Sequence, residues 1–260
     1  MRDIGFRIHA GLRHAVTAKS RYYVHSPFVY SLLTDVLNKP LPYEASRVLT
    51  DIRREQRNDP RLISVEPVGT SNHITKQYSV ARLAKRYALP LKHGTLLFKL
   101  VQRFKPSTIL ETGTGTGFSA ACLALGNPDA SVHTVDALQP LIDVATESLQ
   151  SQNIRNVVFH RGQLDDVLES VCRNIRPIEA VYLDANHTCE ATLRYFDVIL
   201  QHLTTTAFVI VDDIHWSKGM NNAWLKLCKH PRVTVSLDFY RLGLLFLAPD
   251  LSQETFRLYY

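Results

Sequence analysis

The sequence has few cysteines, and none is spaced as a metal or redox pair would be. Among 260 residues only four occur: Cys122, Cys172, Cys189 and Cys228. No C-x-x-C spacing is present, which argues against a disulfide framework and against a thiolate zinc site. We interpret them as small buried thiols in a reducing compartment and therefore expect a cytoplasmic protein.

Long apolar runs are also missing. No stretch approaches the roughly 20 residues that cross a bilayer, so we expect no transmembrane segment. Arg2, Arg7 and Arg13 are not followed by a continuous apolar segment, which argues against a secretory signal. The remaining composition, 45% hydrophobic and 21% charged, is ordinary for one large α/β domain or a domain with an N-terminal appendage.

Charge is distributed unevenly along the chain. Residues 1–105 hold 19 Lys and Arg against 7 Asp and Glu, whereas residues 106–260 hold 11 against 17. A basic segment can steer an anionic partner such as RNA, phospholipid or an acidic metabolite. A solvated basic helical surface explains the same charge, and this is the interpretation we favour. Because no RNA-binding motif accompanies it, a nucleic-acid partner stays an alternative.

The first 105 residues are predicted to be mostly helical. Ser26 and Pro27 suit the start of a helix over 28–37, with Ser26 as the cap. Further helices are expected over 43–58, 75–89 and 94–104, with a loop at 60–74. The sequence therefore predicts a basic helical N-terminal cap over residues 1–105.

From Ser107 onward, short apolar strands alternate with helices. The expected strands are 107–112, 131–136, 156–160, 178–184 and 206–212, and the expected helices are 118–125, 139–152, 164–174, 189–203 and 217–229. Gly126 is expected to end the first of these helices as its C-cap. Two closely spaced runs, 232–238 and 242–248, then demand an antiparallel hairpin. Residues 106–260 thus predict a doubly wound, Rossmann-like α/β domain.

A glycine-rich turn follows the first of these strands, in the sequence Ile-Leu-Glu-Thr-Gly-Thr-Gly-Thr-Gly-Phe-Ser from Ile109 to Ser119. Its glycines let the backbone adopt positive φ and approach a ligand closely, and the following helix offers unpaired N–H groups. A dinucleotide fingerprint, G-x-G-x-x-G, needs glycine at position 118, where this chain has Phe118. The turn therefore predicts a nucleotide-like ligand other than NAD.

Glu-x-Gly-x-Gly-x-Gly resembles the first motif of class I S-adenosylmethionine (SAM) methyltransferases. The order of Gly94, Glu111, Asp136, Gly162-Gln163, Asp184 and Asp212-Asp213 is similar to that of the catechol and caffeoyl-CoA O-methyltransferases, over roughly residues 85–248. The resemblance implies a seven-stranded sheet of order 3-2-1-4-5-7-6 with strand 7 antiparallel.

The resemblance also implies a set of SAM-binding residues. Asp136 is expected to accept the ribose hydroxyls, although it could instead cap the helix that follows. Asp184 could meet the SAM amino group, as in methyltransferases without a metal. The full set expected to bind SAM is Glu111, Gly113, Thr114, Gly115, Gly117, Ser119, Asp136, Gly162, Gln163, Asp184 and Leu89.

Three acids follow the fourth and fifth strands of this domain. Asp184, Asp212 and Asp213 should converge at one edge of a parallel sheet, where they repel one another unless a cation neutralises them. Oxygen ligands suit Mg²⁺, which in the similar O-methyltransferases holds the substrate hydroxyl. Alternatively, Asp212 and Asp213 cap the helix that starts near Ser217.

The candidate catalytic base is His187, with His215 as the second candidate. His187 lies three residues past Asp184, where catechol-type enzymes carry a lysine, and imidazole titrates near neutrality. The chain is therefore expected to be a SAM-dependent O-methyltransferase with a small hydroxylated acceptor held by a divalent metal. Alternatives are a tRNA methyltransferase, a metal-independent small-molecule methyltransferase, and a non-catalytic SAM-binding or nicotinamide-binding module. A homodimer could use the final hairpin or the N-terminal helices.

Overall fold

A computed structural model describes residues 3–65, 76–87 and 89–260. The predicted loop at 60–74 and the start of the helix predicted at 75 lie partly outside these residues. The chain divides into two compact units. We call Pro40–Val171 the glycine-turn unit, and Met1–Lys39 together with Cys172–Tyr260 the carboxylate unit. The predicted boundary between residues 105 and 106 lies inside the glycine-turn unit.

The described elements follow in chain order. The helices are α1 Ile4–Thr17, α2 Pro27–Ser31, α3 Tyr43–Asn58, α4 Val80–Tyr87, α5 Leu91–Phe104, α6 Phe118–Gly126, α7 Gln139–Ser151, α8 Leu164–Ile175, α9 Cys189–Leu200 and α10 Lys218–Leu227. The strands are β1 Leu62–Val65, β2 Lys76–Ser79, β3 Thr108–Thr112, β4 Ser131–Asp136, β5 Val157–Arg161, β6 Ile178–Leu183, β7 Leu203–Val211, β8 Val235–Asp238, β9 Gly243–Phe246 and β10 Glu254–Arg257.

In the glycine-turn unit, β3, β4 and β5 lie side by side in parallel, with β4 in the middle. Strand β3 is buried over most of its length, as expected for a parallel strand inside a sheet, whereas every residue of β5 is half-buried or exposed. A separate antiparallel hairpin pairs β1 with β2. The prediction of a helix from residue 75 was wrong over residues 76–79, which form β2 before α4 begins at Val80.

Helices α5 and α6 of this unit pack unusually closely, and two glycines make this possible. A Cβ atom at Gly94 would lie 2.8 Å from Sγ of Cys122, and one at Gly126 would lie 2.7 Å from Cβ of Val101. The interpretation of Gly126 as a C-cap was wrong, because Gly126 is the last residue of α6 and Asn127 takes the cap position. Gly126 is needed for close helix packing instead.

In the carboxylate unit, the strand order is β10-β8-β9-β7-β6. Strands β6 and β7 are parallel, β9 is antiparallel to both β7 and β8, and β10 adds a parallel edge strand to β8. The predicted antiparallel hairpin is therefore present as β8 and β9. The strand orders within both units match the corresponding parts of 3-2-1-4-5-7-6, and β10 was not predicted.

The N-terminal segment of the carboxylate unit is helical. Helix α2 starts at Pro27, but the side chain of Ser26 makes no capping hydrogen bond, so the predicted role of Ser26 was wrong. A π-helical segment, Leu32–Leu37, continues α2. Within the described residues, every helix is too short or too polar to cross a membrane. The fold is α/β, with a mostly parallel central sheet and helices around it, as predicted for a Rossmann-like methyltransferase.

Candidate functional site

The glycine turn between β3 and α6 has the backbone conformation that its sequence predicts. Gly113, Gly115 and Gly117 have φ values of 90°, 53° and 83°. A Cβ atom at Gly117 would lie 2.7 Å from Cβ of Ala145 on α7, so the turn approaches its neighbour too closely for a side chain. All three glycines have a conformation that favours glycine, and Gly117 is required by space as well.

Gln56 on α3 contacts this turn and was missed by the sequence analysis. Its Nε2 donates to the carbonyl oxygen of Thr116 at 2.6 Å and to Oγ of Ser148 at 3.0 Å. The Thr116 hydroxyl donates back to Oε1 of Gln56 at 3.0 Å. Because Gln56 is only 4% exposed, α3 holds the turn through a buried, two-way amide contact.

Glu111, at the end of β3, has a fully buried carboxyl group. Neither of its oxygens has a hydrogen bond of good geometry to the protein. Burial raises its pKa to about 7, and the neighbouring Ser119 and Thr134 hydroxyls oppose that rise only in part. A buried carboxyl with unused hydrogen-bonding capacity, next to a glycine turn, fits a site that receives a polar ligand.

Asp136, at the end of β4, supports the turn directly. One oxygen accepts a hydrogen bond from the N–H of Gly115 at 3.0 Å, and the other accepts one from the N–H of Leu138 at 2.9 Å. Burial raises the pKa of Asp136. Each carboxylate oxygen can accept a second hydrogen bond, so the predicted contact with a ribose is compatible with this geometry.

The other predicted SAM-binding residues of this unit occupy different environments. The Thr114 hydroxyl is buried and lies 2.6 Å from the hydroxyl of Thr134 on β4. Ser119 is buried in the first turn of α6, and Leu89 is buried with its carbonyl oxygen accepting from Arg53 at 2.6 Å. Gly162 and Gln163 follow β5, and a Cβ atom at Gly162 would meet Val167 at 2.4 Å.

These residues together fit a SAM site within the glycine-turn unit. The turn, the buried carboxyl of Glu111 and the turn-supporting carboxylate of Asp136 lie at the carboxyl ends of adjacent parallel strands. That edge is where open α/β sheets bind nucleotide-like ligands. The assignment of individual SAM-binding residues stays a prediction.

In the carboxylate unit, Asp184 and His187 form a pair at the carboxyl end of β6. Nε2 of His187 lies 3.5 Å from Oδ1 of Asp184, and the buried Tyr182 hydroxyl donates to Oδ2 at 3.2 Å. Asn186 and His187 both have positive φ, at 63° and 21°, so a tight turn places the imidazole back beside the acid. The His187 side chain is 36% exposed.

The predicted metal donors are arranged differently from a shared cation site. Both oxygens of Asp212 face Arg241, with Nε to Oδ1 and Nη2 to Oδ2 at 3.2 Å each. Throughout the described parts of the chain, no three His, Cys, Asp or Glu side chains are grouped so that they could hold a metal ion. This donor set does not fit Mg²⁺, because a guanidinium already neutralises it.

Two further predictions can be placed in this unit. Ser217, whose hydroxyl accepts from the N–H of Met220 at 3.1 Å, caps α10, rather than Asp212 or Asp213. His215 is buried, with Nδ1 2.9 Å from Oδ1 of Asn221 and Nε2 2.9 Å from Oδ2 of Asp238. Since both ring nitrogens are engaged inside the protein, this arrangement favours His187 over His215 as a base.

Comparison with known proteins matches part of this chain to a described domain. The family model described as a methyltransferase domain matches residues 110–214. A protein-L-isoaspartate O-methyltransferase from Marinobacter nauticus is 32% identical over 93 residues, which is 36% of this chain and 35% of the relative. A ribosomal RNA small subunit methyltransferase G from Bacteroides thetaiotaomicron is 32% identical over 75 residues, which is 28% of this chain and 36% of the relative. The chain thus spans about a third of the length of these two relatives.

Solved structures share the fold at low sequence identity. The O-methyltransferase from Bacillus cereus, solved with SAH, has a TM-score of 0.58 at 19% identity and covers 85% of this chain and 96% of its own. A putative caffeoyl-CoA O-methyltransferase from Staphylococcus aureus has a TM-score of 0.55 at 18% identity, covering 64% and 90%. Residues 110–214 therefore match a methyltransferase domain, and the chain shares its fold with solved O-methyltransferases.

Proposed function

We propose that this chain is a SAM-dependent methyltransferase that transfers a methyl group to an oxygen atom of a small hydroxylated acceptor. The observation that carries the proposal is the pairing of His187 with Asp184 at the carboxyl end of β6, where a partly exposed imidazole is held beside a carboxylate. Such a pair can act as a general base toward a hydroxyl group. The O-methyltransferase structures that share this fold support the same chemistry.

In this proposal the glycine-turn unit binds SAM. The positive-φ glycines leave room for the ligand, Asp136 holds the turn and accepts the ribose hydroxyls, and Glu111 provides a buried polar group. When bound, SAM would supply an electrophilic methyl group on its sulfonium, with S-adenosylhomocysteine as the leaving group. Gln56 contributes by fixing Thr116, so the turn is held in its binding conformation before the ligand arrives.

The carboxylate unit provides the proton acceptor. Because Nε2 of His187 faces Asp184, Nδ1 is the nitrogen that can take the proton of the hydroxyl group to be methylated. His187 would take the proton of the acceptor's hydroxyl group, and Asp184 would stabilise the resulting imidazolium. The predicted magnesium ion has no part in this mechanism, since Arg241 already pairs with Asp212.

RNA is the second candidate acceptor, and two observations favour it. One relative is a ribosomal RNA methyltransferase, and residues 1–105 are strongly basic. On α4 three basic side chains, Arg82, Lys85 and Arg86, are exposed. Isoaspartyl peptides form a third class, since another relative methylates protein isoaspartate according to its name.

The test is transfer of tritiated methyl from SAM to three acceptor panels: small catechols and other hydroxylated compounds, isoaspartyl peptides, and total tRNA and rRNA. We expect label in the small hydroxylated compounds, with Asp184→Asn and His187→Ala as impaired variants. Label found exclusively in RNA or in peptides would overturn the proposal. Calorimetry with SAM and NAD is the accompanying control, and preferential NAD binding would contradict the SAM site itself.

We also propose a homodimer. Helix α1 exposes a large apolar side chain at every fourth position, and these residues are Ile4, Ile8, Leu12 and Val16. Apolar stripes of this kind are typical of helices that pack against a partner. Light scattering coupled to size exclusion, with Leu12→Glu as the variant, tests the dimer. A monomer in the unmodified protein would contradict it.

A further inference from the structure

A guanidinium group lies where the sequence predicted a metal ion. Arg241, in the turn between β8 and β9, donates to both oxygens of Asp212 at 3.2 Å. Its Nε also lies 3.4 Å from Oδ1 of Asp213. One side chain therefore contacts both of the adjacent carboxylates that a divalent cation was expected to bridge.

The main chain fixes this arginine relative to the acids. The N–H of Ile214, the residue after Asp213, donates to the carbonyl oxygen of Arg241 at 3.1 Å. The N–H of Arg241 donates to the carbonyl oxygen of Phe239 at 3.0 Å, within its own turn. Asp212 is equally fixed, with 1% of its surface exposed. The bidentate contact is thus held by backbone on both sides, which is the geometry in which an arginine–carboxylate pair is strong.

The charges in this cluster depend on each other. Burial raises the pKa of Asp213, the neighbouring Asp212 raises it further, and Arg241 opposes both effects. Burial lowers the pKa of Arg241, but its hydrogen bonds to Asp212 and the charges of both acids outweigh burial and raise it above its usual range. Arg241 is therefore a permanent positive charge between two acids.

We infer that Arg241 takes the role of the divalent cation in this site, so that methyl transfer needs no metal. The inference rests on the proposed function, because it takes the acids at the ends of β6 and β7 as part of the acceptor site. A guanidinium has five N–H donors, and only those on Nε and Nη2 face the acids. The Arg241 side chain is 32% exposed, so the remaining donors can hold an acceptor oxygen and stabilise the negative charge that develops on it.

The decisive measurement is Mn²⁺ binding, followed by electron paramagnetic resonance, because it needs neither SAM nor an acceptor. We expect weak binding to the unmodified protein and binding about tenfold tighter or more to Arg241→Ala, since removing the guanidinium uncovers the acids. An Arg241→Ala affinity equal to or below that of the unmodified protein would overturn the inference. Loss of methyl transfer after EDTA treatment, restored by Mg²⁺, would overturn it as well.

Two further variants serve as controls for the Mn²⁺ measurement. Arg241→Lys keeps the positive charge without the planar fork, so we expect Mn²⁺ affinity as low as in the unmodified protein together with reduced methyl transfer. This variant keeps the test valid if Arg241→Ala does not fold, and a gain in Mn²⁺ affinity would contradict us. Arg257→Ala removes another arginine–aspartate pair, with Asp238, and should leave Mn²⁺ binding unchanged. If the acceptor proves to be RNA, the proposed function fails while the Mn²⁺ result stands.

Discussion

Gln56 and Thr116 bind each other in both directions across 60 positions of sequence. The amide of Gln56 donates to the Thr116 carbonyl oxygen, and the Thr116 hydroxyl donates to the amide oxygen. Helix α3 therefore holds the middle of the glycine turn through one buried side chain.

We expect Gln56→Ala to weaken both folding and SAM binding. The substitution leaves a buried carbonyl and a buried hydroxyl without partners, which costs roughly 1–3 kcal/mol. The thermal midpoint should fall by several degrees, and the SAM dissociation constant measured by calorimetry should rise. Glu55→Ala, an exposed neighbour on α3, is the matched control and should change neither quantity. Unaltered SAM affinity in Gln56→Ala would show that the turn keeps its conformation without this contact.

Glu111 should make the unliganded protein less stable as pH rises. Its folded-state pKa of about 7 lies above the ordinary value of 4.5, so the neutral form is favoured by folding. The stabilisation is complete below about pH 4.5 and is lost as pH rises through about 7. Glu111→Gln removes this loss, because the amide stays neutral. The difference in thermal midpoint, variant minus unmodified, should therefore increase from pH 5 to pH 8, and an equal difference at both would contradict the assignment.

His187→Ala should lower kcat by roughly 10²–10⁴-fold, the usual contribution of a general base. SAM affinity should be retained, because His187 belongs to the acceptor side of the proposed mechanism. Steady-state kinetics, measured across pH with an acceptor found by the tritiated-methyl assay, separates the effect on kcat from the effect on SAM affinity. Glu190→Gln, an exposed substitution three residues on, is the control. If the pH–rate profile of His187→Ala keeps its acidic limb, another group takes the proton.

Asp238 should be a stabilising residue rather than a catalytic one. Burial raises its pKa, but the hydrogen bond and charge of His215 outweigh burial and hold the pKa below its usual range. A carboxyl whose pKa is lowered by folding stabilises the protein at pH values above its unfolded-state pKa, which is near 3.8. This stabilisation is lost as the pH falls through the folded-state pKa. Asp238→Asn should cost roughly 3–5 kcal/mol at pH 7, since His215 and Arg257 lose a buried partner. Thermal melts at pH 7 and pH 3 check this, because the difference from the unmodified protein should shrink at pH 3.

The sequence predicted the sheet well because its signals are local. The runs that form β3, β4 and β6 are short and apolar and are bounded by turn residues, so their limits differ from prediction by no more than one residue. By contrast, β2 has the sequence Lys-Gln-Tyr-Ser, with no apolar run, and its pairing with β1 decides its conformation. Strand β10 likewise depends on its pairing with β8.

The candidate site was predictable only where its residues follow strands. Asp136 and Asp184 could be found because an acid at a strand end has a known place in such sheets. Gln56 gives no local signal, since a glutamine on a helix is ordinarily exposed. Arg241 lies 29 positions after Asp212 and reaches it through the turn between β8 and β9, so the pairing that replaces the expected metal could not be read from spacing.

The close packing of α5 on α6 has a practical consequence for expressing parts of this protein. Almost every residue of α6 is buried, and none is charged, so the helix cannot be soluble without its neighbours. The helices that pack against α6 include α3 and α5, which precede it in the chain. A fragment that begins at residue 106 lacks both helices, so the apolar surface of α6 would be exposed and we expect the fragment to aggregate. Any shortened version made for crystallisation or screening should therefore begin before Tyr43.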